Sequence, residues 1–345
     1  MEKKRTKKRV KSGSNGAMTI IMVILSLIFA VLSCAAFMAS FISPLQTTIF
    51  HYIGLISPFI LGVNLLLLIY WVVKMRVWII IPLFSIILNV GYISSMLQLQ
   101  VIDNEYDGYL RVATYNIDNF GEGENLKPIK RFILSQDIDI IALQEAWDFS
   151  LENIKIQFNE YDYIKKRGEL VIMSKYPIID VNIKQLPEGT GNILAAEIDY
   201  KGERIIFATT HLQTTGISSI PRRVRNNGYL SFSGEHSRFS YNARLRAKQA
   251  NEISQFIENE KLPLIICGDF NDTPASYIYR KIKGKLIDGF KDCGSGYAST
   301  FFDFFGIFRI DYIFYSHSIK GIKHTISDVK LSDHKAIIMD VALRK

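Results

Sequence analysis

From Ser12 to Ile102 the chain carries only two formal charges, Lys74 and Arg76. Within that stretch lie three apolar runs, Met18–Ile42, Tyr52–Val73 and Val77–Leu97. Each exceeds the roughly 20 residues a helix needs to cross a bilayer's hydrocarbon core. Trp71, Trp78 and Tyr92 fall near their ends, where aromatic side chains sit at the membrane–water boundary. Soluble helices rarely place three such runs in succession, so three transmembrane helices are expected.

The basic residues set an orientation. Residues 1–11 hold seven Lys and Arg against one Glu, and the turn Lys74-Met75-Arg76 is basic, whereas Ser43–His51 has neither Lys nor Arg. The positive-inside rule then keeps the N-terminus and that turn cytoplasmic and sends everything after the third run outside. A signal peptide is the rival reading of the first run. Val31-Leu32-Ser33-Cys34 is a poor lipoprotein cleavage site, and two further runs would anchor the chain in either case. The basic tail also suits anionic lipid. The expected domains are a cytoplasmic tail (1–17), a three-helix membrane region (18–102) and a soluble domain (103–345).

The formal net charge of +8 belongs to the first two of these. Residues 103–345 hold 32 Lys and Arg and 32 Asp and Glu, so the soluble domain lacks the basic excess of a non-specific duplex binder. Cys34, Cys267 and Cys293 show no zinc spacing; Cys267 and Cys293 read as separate buried thiols.

Short β-rich runs alternate with helical patterns after Asp103. The strand candidates are Leu110–Ile117, Ile138–Leu143, Leu170–Met173, Ile193–Asp199, Arg204–Thr210, Leu264–Cys267, Ile310–Tyr315 and Ala336–Leu343. Helices are expected at Leu126–Ser135, Ser150–Phe158 and Arg244–Asn259, the last from Ala247, Ala250, Ile253 and Ile257 at helical spacing. The fold class is α/β: a two-sheet β-sandwich flanked by helices, four layers in all. Gln213–Ala243 shows no periodicity and reads as a long loop rich in Arg222, Arg223, Arg225 and Arg238. Gln249 reads as a helix-surface residue.

Acids, amides and histidines recur at strand ends: Asn116 and Asp118, Gln144-Glu145, His211, Asp269 and Asn271, Asp311, and Asp333-His334. Polar groups so placed can converge on one rim of a sheet. Their oxygen-rich chemistry suits Mg²⁺, with Mn²⁺ or Ca²⁺ as alternatives, more than zinc. A carboxylate-held cation with amides and a charged His beside it is the equipment of phosphoryl transfer.

The ordered set Tyr115–Asp118, Gln144-Glu145, Thr210–Leu212, Gly268–Asn271, Arg309–Tyr312 and Ser332–His334 resembles the endonuclease/exonuclease/phosphatase superfamily over about residues 108–345. The resemblance implies a metal-dependent phosphoester hydrolase. Glu145 would be the main metal ligand, with Asn116, Asp118 and Asp333 supporting the metal. His211 and Asn271 would contact phosphate, Asp269 would orient or deprotonate water, and His334, oriented by Asp311, would act as base or stabilise the transition state. Arg222 and Arg223 are candidates for substrate contact. Ile266-Cys267-Gly268-Asp269-Phe270-Asn271-Asp272-Thr273 lacks both the Trp and the Arg of the inositol phosphatase motif. The expected substrate is extracytoplasmic nucleic acid. A phospholipid headgroup, another small phosphoester, and a non-catalytic binding module remain the alternatives.

Overall fold

A computed structural model of the chain describes residues 6–100, 108–118, 126–189, 191–216 and 232–344. Helix α1 (Thr6–Met38) runs through the first apolar stretch, α2 (Ile49–Leu55) follows, and α3 (Ser57–Lys74) carries the second. The third stretch is not one straight span. It forms α4 (Ile80–Leu88) and α5 (Val90–Met96), and its two halves are bent by 58°. Asn89 sits at the break, where its side-chain amide donates to Ser85 O (2.9 Å) and to Ser33 O of α1 (3.3 Å). A polar side chain feeding hydrogen bonds into a helix ladder is a recognised cause of a kink. Two helices, Gly16–Met38 and Ser57–Lys74, are therefore long and apolar enough to cross a membrane, or three segments if the bent pair is one broken span.

Buried polar side chains join these helices. Asn64, fully buried, donates to Ser33 Oγ (3.1 Å), and Trp71 Nε1 donates to Ser26 Oγ (2.9 Å). Such buried bonds fix the helices against one another at defined points.

A two-residue strand, β1 (Leu97–Gln98), leads out of the helices. The soluble domain is built on two six-stranded mixed sheets. The first comprises β2 (Leu110–Asn116), β3 (Ile140–Gln144), β4 (Tyr163–Arg167), β5 (Leu170–Ser174), β13 (Ile319–Ile326) and β14 (Ile337–Leu343), in the order β13-β14-β2-β3-β5-β4. The second comprises β6 (Ile178–Gln185), β7 (Asn192–Tyr200), β8 (Glu203–His211), β9 (Leu264–Asp269), β10 (Ile287–Asp288) and β12 (Asp311–Tyr315), in the order β10-β12-β9-β8-β7-β6. The remaining strand, β11 (Gly296–Tyr297), pairs with β1.

Period-two alternation explains the layering. Val112, Ile140, Phe207, Ile265 and Ile313 point between the sheets into one core. Their neighbours face outward: Ala113 and Ile141 pack under α6 (Lys127–Ser135) and α7 (Leu151–Gln157) through Ile129, Ile133 and Ile154. On the other side Ile266 and Phe314 pack under α8 (Phe232–Asn259) and α9 (Tyr277–Lys283) through Ala250, Ile253, Ile278 and Ile282. The result is helix, sheet, sheet, helix. Both thiols of Cys267 and Cys293 are free and buried.

The expected loop at Gln213–Ala243 is overturned in its second part. Helix α8 begins at Phe232, so Arg238 is helical, while Arg222, Arg223 and Arg225 lie outside the described residues. Below Ala247 this helix continues past the domain core toward α2, where Tyr52 Oη and Ser240 Oγ are 2.8 Å apart. Tertiary contact with the N-terminal helices, absent from the local pattern, supplies its other partner.

Candidate active site

In each sheet one pair of neighbouring strands runs parallel, and both parallel pairs end at the site. Asn116 and Gln144 are in register at the ends of β2 and β3. His211 and Asp269 are in register at the ends of β8 and β9, and Asp311 of β12 lies opposite Asp269. Consecutive strands thus present His211, Asp269 and Asp311 side by side, facing Asn116 across the sandwich.

Local backbone geometry aims the side chains. Asp118 (φ 43°), Glu145 (φ 59°) and Asn271 (φ 51°) all adopt left-handed conformations. Such conformations are uncommon for residues with a Cβ and gather at functional sites. Gly268 must be glycine: at φ +136° an added Cβ would stand 2.0 Å from Thr210 O.

Asp269 is the hub. Its Oδ1 accepts from Asn271 N (2.7 Å) and its Oδ2 accepts from Asn116 Nδ2 (3.1 Å) and Asn271 Nδ2 (3.2 Å). His211 Nε2 and His334 Nε2 stand 3.5 and 3.6 Å from the same oxygen. Burial pushes the Asp269 carboxyl up to about 6, against the pull of His334. Asn116 Nδ2 also donates to Glu145 Oε1 (2.9 Å), so one amide bridges the two carboxylates.

Each histidine has an acid behind it. His334 Nδ1 donates to Asp311 Oδ2 (2.9 Å), which turns Nε2 toward the cavity. Burial would lower this imidazole's pKa, but Asp311 and Asp269 raise it to about 10. His211 Nδ1 donates to Glu169 Oε2 (3.0 Å), and the same competition, with Glu169 the strongest opponent of burial, raises His211 to about 9. Asn271 Nδ2 lies 3.1 Å from His211 Nε2, yet its two hydrogens are engaged by Leu212 O (3.0 Å) and Asp269. The Nε2 proton of His211 is therefore directed at Asp269 and at Glu145 Oε1, 3.7 Å away.

The sequence-predicted residues Asn116, Glu145, His211, Asp269, Asn271, Asp311 and His334 form this one network. Asp118 and Asp333 line the mouth of the same cavity, about 550 Å³. Burial raises the pKa of Asp333. A ligand atom from each of Glu145, His211 and Asp269 lies within 4.8 Å of the others, as do those of Asp269, Asp311 and His334. Clustered carboxylate oxygens with one imidazole fit a hard divalent cation, and Glu145, half-exposed at the cavity, is the accessible one.

Sequence reasoning missed four features. Glu169, next to Gly168 in the β4–β5 turn, orients His211. Leu55 of α2 lines the cavity beside Trp147, Phe301, Phe304 and Phe308, giving it an apolar wall. Arg246, 1% exposed, donates to Asp272 Oδ2 (3.1 Å) and to Gln213 O (3.1 Å), and its third arm meets His51 Nε2 (3.1 Å). Gln249 is not on the helix surface: it is fully buried, and its Oε1 accepts from Gln213 N (3.0 Å), holding the chain just after His211.

A family model described as "Endonuclease/Exonuclease/phosphatase family" matches residues 113–334, so the chain belongs to that family. A second model, a domain of unknown function, matches residues 19–96. No curated protein matches. Among solved structures, the chain is similar to an endonuclease/exonuclease/phosphatase from Bacteroides vulgatus (22% identity, 69% of this chain and 100% of that one, TM-score 0.53). It is also similar to a mannosyl-6-phosphatase from Bacteroides thetaiotaomicron (20%, 68% and 100%, TM-score 0.51). A third is D. rerio TDP2 complexed with single strand DNA product (17%, 68% and 100%, TM-score 0.51). At these identities the likeness is one of fold.

Proposed function

We propose that the chain is a metal-dependent phosphodiesterase acting on the headgroup of membrane phospholipids. The observation that carries the choice of substrate is Leu55. A residue from the segment between two apolar helices lines the catalytic cavity together with three phenylalanines, so the cavity adjoins the membrane region and has an apolar side. Nucleic acid, the expectation from sequence, is less well served. The soluble domain has no net positive charge to attract a polyanion.

Glu145 would hold the cation, with Asn116, Asp118 and Asp333 around it; when bound, it would stabilise charge on the phosphoryl and leaving oxygens. Asp269, whose pKa sits near neutrality, would take the proton of the attacking water. His334, charged and fixed through Nδ1 by Asp311, would face the phosphoryl oxygens with Nε2, and His211 and Asn271 would bind the same group. An acid pair whose environments push pKa values apart in this way is the usual arrangement for running both halves of a proton transfer. In this reading residues 1–17 are cytoplasmic, 18–102 form the membrane region and 103–345 lie outside the cytoplasmic membrane, supported by the basic residues at 3–11, 74 and 76.

The test is hydrolysis by the full chain in mixed micelles. Sphingomyelin and phosphatidylcholine, plasmid DNA and bis-p-nitrophenyl phosphate are offered with Mg²⁺, with Mn²⁺, or with EDTA. Glu145→Ala and His334→Ala should each lower turnover by roughly 10²–10³-fold or more. Faster cleavage of DNA than of lipid would move the substrate to nucleic acid, and turnover surviving EDTA would sink the metal-dependent reading.

A further inference from the structure

A second cavity, about 410 Å³, opens where α9 and α10 (Gly289–Cys293) meet the ends of α1 and α5. Its two sides differ in chemistry. The apolar side is made by Phe37, Leu88 and Tyr92 of the membrane helices; the polar rim is made by Arg280, Lys283 and Lys291 of the soluble domain. Among the described residues no carboxylate lines it. Asp288, the acid that acts on Lys291, is already held by both terminal nitrogens of Arg309 (2.8 and 2.6 Å).

The cations are held at this junction. The Arg280 guanidinium lies 4.0 Å from the centre of the Phe41 ring, and Lys291 Nζ reaches Gly91 O at 3.4 Å. Burial lowers the Lys291 pKa; Asp288 opposes this, while Lys283 and Arg309 lower it further. In α4, one turn or less before Leu88, Phe84 and Ile87 are 55% and 60% exposed. With Gly16–Met38 and Ser57–Lys74 crossing a bilayer, the rim stands at headgroup depth and the apolar side faces the acyl chains. Clustered Lys and Arg beside an apolar wall offer an anionic headgroup both its charge partner and a seat for its acyl chain.

We propose that this groove binds one anionic phospholipid, its phosphate among Arg280, Lys283 and Lys291 and an acyl chain against Phe37, Leu88 and Tyr92. A soluble phosphate would satisfy the rim but leave the apolar side bare. The site is distinct from the catalytic cavity, and it stands whether or not the chain hydrolyses lipid. The lipid joins the soluble domain to the membrane helices at a point where three cations stand beside an apolar wall.

The experiment is native mass spectrometry of the full chain, extracted from nanodiscs containing equal phosphatidylglycerol and phosphatidylcholine. One phosphatidylglycerol should be retained in preference to phosphatidylcholine. Retention should fall on the order of tenfold in the double variant Arg280→Gln/Lys283→Gln, since each cation near a headgroup contributes comparably. Arg280→Lys/Lys283→Arg should keep it, as should Lys201→Gln in the β7–β8 turn. Equal retention of both lipids overturns the proposal, and so does selectivity that survives the double Gln variant. Displacement by soluble glycerol 3-phosphate as readily as by phosphatidylglycerol would also overturn it, because the acyl side would then contribute nothing. Loss of turnover with retention intact would fault the catalytic reading alone.

Discussion

Two buried arginines tie the two-sheet domain to the N-terminal apolar helices, and they do so differently. Arg309 is fully buried and makes a two-armed pair with Asp288, to which Tyr279 Oη also donates at 2.6 Å; it donates as well to Ser95 O of α5 (3.0 Å), and its guanidinium lies over the Tyr312 and Phe290 rings (4.7 and 5.1 Å). Arg246 divides its arms among Asp272, Gln213 O and His51 of the segment joining α1 to α3. The side chain of the first meets Asp288, Ser95 O and the rings of Phe290 and Tyr312, none of them a member of the catalytic network. The second reaches the residue next to Asn271 and the chain next to Leu212. The contrast separates a contact that holds the molecule together from one that also sets the geometry of the site.

The largest effect expected from this contrast is Asp288→Asn. Asparagine keeps the cap on α10, where Asp288 Oδ1 accepts from Phe290 N (3.0 Å), but it removes the charge and replaces the oxygen that accepts from Arg309 and Tyr279 with an amide donor. An unpaired guanidinium left in the interior costs about 3–5 kcal/mol. Denaturant titration of the full chain in detergent should show that loss, with unchanged turnover per folded molecule. Turnover that falls while stability holds would erase the distinction between the two arginines.

The same contrast marks what a sequence can and cannot disclose. The eight strands legible from β-rich alternation are β2, β3, β5, β7, β8, β9, β12 and β14, and these are the interior strands of the two sheets. The four that escaped, β4, β6, β10 and β13, are the four edges. Edge strands carry lysines such as Lys165, Lys166 and Lys323, which discourage pairing with another chain and also dissolve the apolar pattern. β10 has two residues, too few for any pattern. The catalytic cluster was legible because its members fall at the ends of readable strands. Glu169, Gln249 and the Arg246–His51 contact were not. Each acquires its role from a partner far away in the chain: Glu169 is 42 residues from His211, and His51 is 195 from Arg246. The kink at Asn89 is of the same kind, since Ser33 of another helix completes it.

His51→Leu sharpens the comparison from the other side. His51 is buried, and burial lowers its pKa, so the neutral ring offers Nε2 as an acceptor to Arg246. Leucine removes that acceptor but leaves Asp272 and Gln213 O in place. A hydrogen bond to a charged group contributes about 1.5–3 kcal/mol, so stability should fall less than in Asp288→Asn. Turnover should fall too, because Asp272 follows Asn271 directly and small displacements of positioned groups are costly: a roughly tenfold drop in kcat with KM little changed is expected. His51→Gln, whose side-chain oxygen can accept from Arg246, should recover most of it. If leucine and glutamine behave alike, His51 is packing and not positioning.

The smallest effect expected separates the two anchors by pH. His324 of β13 is fully enclosed near Arg309, with neither ring nitrogen hydrogen-bonded, and burial with the nearby guanidinium lowers its pKa to about 3. An unfolded histidine titrates near 6.5. The folded pKa is the lower one, so the unfolded state takes up the proton first. The contribution is fully present above pH 6.5 and is lost as pH falls toward the folded value. At pH 5.5 the loss amounts to about 1.4 kcal/mol. His211 and His334 have raised pKa values and act with the opposite sign: their contribution is complete below 6.5 and lost as pH rises through about 9 and about 10. A single melting curve therefore mixes the two regions. The difference between wild type and His324→Leu isolates one: the gap in stability at pH 7.5 should shift by that amount at pH 5.5, in favour of the variant. An unchanged gap would mean that His324 meets a proton acceptor in the folded chain, and that the Arg309 anchor is more hydrated than its packing implies.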